Sequence, residues 1–101
     1  MGDVETYLAE AYLPRTRADG PRAAAARARA AVRQMRREGA PVRFLRSFFL
    51  PEDELWFCFY EARCADEVAE ASRRADLALG RIQRAVYLES SARERPEGRR
   101  K

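Results

Sequence analysis

Hydrophobic and polar positions along the chain fall into six segments, and the most apolar of them runs from Val42 to Glu61. It reads V-R-F-L-R-S-F-F-L, then P-E-D-E, then L-W-F-C-F-Y-E, which predicts two strands joined by an acidic turn. Period-two alternation in the first of these groups Phe44, Arg46 and Phe48 on one face and Leu45, Ser47 and Phe49 on the other. Both faces of this hairpin carry large apolar side chains. A sheet built around it therefore needs two covers.

The segment from Val4 to Leu13 alternates as a strand, with Val4, Thr6, Leu8, Glu10 and Tyr12 on one side, and Pro14 ends it. Asp19 is a candidate N-cap for the next element, where Pro21 is tolerated in the first turn. Pro21 to Glu38 is rich in alanine and arginine, both good helix formers, and Gly39 and Pro41 give the stop. Ala24, Ala28, Ala31, Val32 and Met35 recur at helical spacing and predict a thin buried face. Arg22, Arg29, Arg33 and Arg36 form a stripe, ordinarily the solvated side of such a helix. After the hairpin, Ala65 to Leu79 predicts a second helix, with acidic residues early and Arg73 and Arg74 late, as the helix dipole favours. Gly80 is expected to end it, and Ile82 to Leu88 predicts a last strand. Residues 1–89 make one domain on this reading, and 90–101 a disordered basic tail.

The order β-α-β-β-α-β is the split βαβ pattern of a ferredoxin-like α+β domain, with a four-stranded antiparallel sheet and two helices on one face. Two helices cover only one side of that sheet. A second copy of the chain, a small-molecule ligand, or both are expected on the other.

Composition narrows the function classes. The 101 residues suffice for one modest core, and nearly half are hydrophobic. The net charge is +4, with arginine supplying all but one of the basic residues and alanine equally common. That pairing fits a GC-rich coding bias. Together with aromatics placed inside strands, it puts a solvated surface ahead of nucleic-acid binding. No apolar run reaches the roughly 20 residues of a membrane span, and the first residues are acidic, so a cytoplasmic location is expected. Cys58 and Cys64 make neither a C-x-x-C motif nor a disulfide framework, and both are expected to be reduced.

Candidate chemistry centres on the sheet. The first strand is expected beside the third, bringing Glu10 towards Cys58 or Tyr60, with Arg43 or Arg46 projecting from the strand next door. A carboxylate, a guanidinium and a phenol around an apolar pocket suit a small anion or a polar aromatic compound. The plainer expectation is an ion pair between Glu10 and Arg46 with no chemistry attached. Cys58, amid aromatic residues and without a histidine to activate it, reads as packing. Cys64, at the expected start of the second helix, reads as a poor cap. Phosphate-loop, triad and zinc spacings are missing.

Leu45-Arg46-Ser47 with Cys58-Phe59-Tyr60-Glu61-Ala62, Tyr7-Leu8-Ala9-Glu10, and Glu70 ahead of Arg73-Arg74-Ala75 together resemble a small bacterial family labelled nickel-binding or nickel-responsive protein. The similarity runs from Thr6 to Leu88. The resemblance implies a ferredoxin-like fold, a homodimer closing sheet to sheet as a dimeric α/β barrel, and nickel as the metal. Family members typically carry a histidine where this chain has Ala71, and no histidine occurs anywhere in the sequence. Cys58, Cys64 and carboxylates are the donors that remain. Other dimeric α/β barrels enclose cofactor-independent isomerase or monooxygenase sites, an alternative that rests on fold analogy.

Overall fold

The computed structural model describes residues 3–15 and 20–88. Six elements follow in the expected order: β1 (Glu5–Tyr12), α1 (Gly20–Arg37), β2 (Arg43–Leu50), β3 (Leu55–Ala62), α2 (Ala65–Arg74) and β4 (Ala78–Ala85). The strands form one antiparallel sheet in the order β2-β3-β1-β4, and both helices pack on one face of it. This is the ferredoxin-like α+β fold.

The core lies between that face and the helices. β3 alternates strictly, sending Trp56, Cys58, Tyr60 and Ala62 under the helices, where each is at most 1% exposed. β1 contributes Ala9 and Ala11 beside them, since directly opposed antiparallel residues share a face and Ala9 stands opposite Cys58. From α1 come Ala24, Ala28, Ala31, Val32 and Met35, the face expected from their spacing. From α2 come Val68, Ala71 and Ser72. Small helix residues against large strand residues let the two layers approach closely. Arg27 ties the helices together, its Nε donating to the carbonyl of Ala75 at 2.7 Å.

Three local features differ from the sequence expectation. First, α2 ends at Arg74 and not at Leu79. Asp76 adopts a left-handed conformation (φ 58°), its N–H donates to the Arg73 carbonyl, and the Leu77 N–H donates to the Ser72 carbonyl. That is a Schellman stop made by aspartate where glycine is commoner. Second, β4 runs Ala78–Ala85 and not Ile82 to Leu88, so Gly80 lies inside a strand and does not end a helix, and Val86 to Leu88 fall beyond the strand. Glu10 pairs with Arg81 and Ala11 with Leu79, leaving Gly80 as the extra residue of a bulge. A Cβ at Gly80 would sit 3.4 Å from the Glu10 carbonyl oxygen, a close approach that glycine eases. Third, β2 bulges at Leu45, between Phe44 opposite Tyr60 and Arg46 opposite Phe59. Phe44 therefore faces the helices while Arg46 and Phe48 face away, and the expected grouping of these three is broken.

Asp19 and the tail from 90 to 101 lie outside the described residues. Among the described residues, no helix is long and apolar enough to cross a membrane.

Candidate functional site

The face of the sheet turned away from the helices carries a groove of about 660 Å³. Its floor is Thr6 of β1 with Phe59 and Glu61 of β3. One wall is Leu45, Arg46 and Phe48 of β2, and the other is the run from Ala85 to Leu88 at the end of β4. The Phe48 ring meets Phe59 edge-on at 6.2 Å between centroids. Phe48 is 57% exposed, and Leu50 and Tyr12 on the same face are also exposed. The groove thus offers an aromatic wall with one guanidinium and one carboxylate.

Of the four residues expected to form a site, Arg46 alone lines this groove. Glu10 shares its face but lies opposite Phe57 and Arg81, and its carboxylate comes within 3.9 Å of the Arg81 guanidinium. The expected Glu10–Arg46 pair is thereby replaced by a cross-strand neighbour on β4. Cys58 and Tyr60 point the other way, beneath the helices. Glu10 cannot approach them, because adjacent residues along a strand face opposite sides. Glu61 and Phe59 are the groove residues that the sequence reading passed over. The signal was present in β3, where Leu55, Phe57, Phe59 and Glu61 occupy the alternate positions to the buried set.

The buried pair is chemically quiet. Burial pushes the Cys58 thiol up to about 12. Burial also raises the Tyr60 phenol, with Cys58 adding to the effect and Ser72 opposing it. The Tyr60 hydroxyl is enclosed without a hydrogen bond of normal geometry. Both groups stay protonated across the physiological range, so Cys58 presents a thiol and not the thiolate that binds metals or attacks electrophiles. Cys64 is exposed at the N-cap of α2, where its side chain makes no capping bond. Glu67 serves that end instead, accepting from the Arg63 N–H at 2.7 Å and from the Arg63 guanidinium.

At the opposite end of the sheet, Glu54 closes the turn between β2 and β3 against β1. It accepts from the Tyr12 hydroxyl and the Arg15 N–H, both at 2.9 Å, while its carbonyl accepts from the Leu13 N–H at 2.8 Å. The Arg15 N–H, and after it the Tyr12 hydroxyl, hold the Glu54 carboxyl below its usual value.

Element order, strand order and a groove on the uncovered face define a ferredoxin-like α+β domain with an open, partly aromatic sheet surface. Residues 7–84 match the family described as nickel responsive protein SCO4226-like, and the chain belongs to that family. No curated protein and no solved structure matches it.

The donor set of this chain does not fit nickel. Histidine is absent from the sequence, and among the described residues no three of His, Cys, Asp and Glu gather as a ligand group. Imidazole or thiolate is the usual requirement of a borderline metal, and the two cysteines lie in unlike settings, Cys58 buried in β3 beneath the helices and Cys64 exposed at the start of α2. Ala71, where the resemblance leads one to expect a histidine, is fully buried.

Proposed function

We propose that the protein is a cytoplasmic, homodimeric small-molecule-binding module that pairs through its open sheet face and holds a compact aromatic acid in the groove beside Arg46. The observation that carries this reading is the exposure of Phe48 within a groove that also holds Arg46, Phe59 and Glu61. Four strands of eight residues present a footprint of roughly 500 Å² at the usual strand spacing and rise, so a pair would bury about 1,000 Å² in total, the threshold for a specific interface. Aromatic and leucine side chains mix there with Arg46 and Arg81 and with Glu10 and Glu61. Both signs of charge on one surface make it self-complementary about a two-fold axis. A ring stacked at Phe48 and Phe59 would place a carboxylate near the Arg46 fork.

Binding is preferred to catalysis because Cys58 and Tyr60, which could act as nucleophile and acid, face away from the groove. Sedimentation velocity at micromolar concentration is expected to show a dimer for the wild type and a monomer for Phe48→Asp. Titration with benzoate, followed by NMR, should shift amides along β2 and β3, and Arg46→Gln should weaken that binding about tenfold. A wild-type monomer would refute the pairing, and benzoate shifts unaffected by Arg46→Gln would refute the site.

A further inference from the structure

A second concavity lies on the other side of the molecule, between α1 and the edge strand β2. Its volume is about 260 Å³, and it is lined by Arg29, Val32, Arg33 and Arg36 of α1 with Arg43 and Phe44 of β2. Four arginines thus line a groove whose base is a buried valine and a half-buried phenylalanine. The helical stripe expected to be merely solvated is joined here by an arginine from a strand.

The base is fixed from below. The Phe44 ring meets Tyr60 edge-on at 5.3 Å and Trp56 at 6.4 Å, both buried in the core. One of the cations is positioned by that base and a second by the backbone just before β2. Arg29 sits over the Phe44 ring, its guanidinium carbon 5.8 Å from the centroid, and Arg36 donates to the Val42 carbonyl at 3.3 Å. Arg33 and Arg43 make neither hydrogen bond nor ion pair among the described residues, and no carboxylate pairs with any of the four. Most other arginines have a carboxylate partner, Arg15 with Glu54, Arg63 with Glu67, Arg73 with Glu70, Arg74 with Glu38 and Glu70, Arg81 with Glu10, and Arg84 with Glu5, while Arg22, Arg37 and Arg46 make no ion pair among the described residues. Clustered guanidiniums without a counter-ion repel one another, and an anion seated among them relieves that repulsion.

We propose that the α1–β2 groove binds a small oligophosphate anion. Phosphoryl oxygens suit the planar donor forks of arginine, and several negative charges in a compact group match four clustered cations. The volume is below the roughly 300 Å³ at which drug-sized ligand pockets begin, so the occupant is small. Arg29 to Arg36 spans only about 10 Å along the helix, too short to follow the six or more phosphates of a typical nucleic-acid contact. This site is independent of the sheet-face groove and of the oligomeric state proposed for it.

Inorganic tripolyphosphate, titrated calorimetrically at low salt, is expected to bind saturably at one site per chain. Arg33→Gln with Arg43→Gln removes two forks that support no other contact and should weaken binding at least tenfold, as loss of charge-assisted hydrogen bonds does. Arg22→Gln with Arg37→Gln lowers the net charge equally outside the groove and should change affinity less than about threefold. Circular dichroism confirms that both variants fold. Absence of saturable binding, or equal loss in the two double variants, overturns the proposal. A short DNA duplex that binds more tightly than tripolyphosphate, with a salt slope steeper than four phosphates allow, overturns it in favour of a nucleic-acid surface.

Discussion

The two faces of the sheet are drawn from the same strands and the same kinds of residue, yet they end in opposite states. On β3, Trp56, Cys58 and Tyr60 are enclosed while their alternates Leu55, Phe57 and Phe59 are only half buried, although the two sets are similarly apolar. The difference lies in the cover. Alanine-faced helices reach one side closely enough to exclude water, and no described element covers the other. Residue hydrophobicity marks which positions want burial, and topology decides which of them obtain it inside one protomer.

The comparison is broken most directly by truncating one aromatic from each side. Trp56→Ala should cost about 3–5 kcal/mol in urea unfolding, the range for a large buried aromatic. Phe48→Ala should change the stability of the isolated protomer by less than about 0.5 kcal/mol, as an exposed position does. Equal losses would mean that both faces are core.

Smaller effects distinguish the two polar groups beneath the helices. Cys58→Ser puts a hydroxyl where burial already disfavours a polar group, at a cost of about 1–3 kcal/mol. Tyr60→Phe removes a hydroxyl that makes no normal hydrogen bond, so it should be near neutral in thermal unfolding. Thiol labelling at pH 8 should modify Cys64 in the native protein and Cys58 only after unfolding.

The smallest effect concerns the clamp that joins the β2–β3 turn to β1. The Glu54 carboxyl is held below its ordinary value, chiefly by the hydrogen bond from the Arg15 N–H. Its stabilisation is therefore present above that value and is lost as pH falls through the lower folded value. Glu54→Gln should flatten the acid limb of a plot of Tm against pH. An acid limb as steep as that of the wild type would show that the clamp contributes nothing to stability.

Much of this architecture was legible in the sequence. All six elements, their order, the position of β1 beside β3 and the buried face of α1 follow from periodicity and from glycine and proline signals. What escaped were single-residue events. The stop of α2 at Asp76 uses an aspartate in a conformation usually marked by glycine, while the visible glycine, Gly80, serves a bulge. Glu10 meets Arg81 as the last pair before that bulge, and pairing across strands leaves no mark on either strand alone. The candidate site was split for a similar reason. Glu10 and Arg46 were grouped with Cys58 and Tyr60 by strand neighbourhood, whereas the pleat separates them by face.

The bulge at Leu45 has a consequence for how this chain can vary. β2 carries one residue more than its hydrogen-bonded ladder uses, a unit of slack in an otherwise fixed register. Removing Leu45 leaves Phe44 opposite Tyr60 and Arg46 opposite Phe59, while removing Arg46 lets Leu45 take the place opposite Phe59. Either deletion yields an unbroken strand with the same side chains under the helices. At this point length is decoupled from fold, and the choice between a leucine and an arginine over the Phe59 ring becomes a setting of the groove alone.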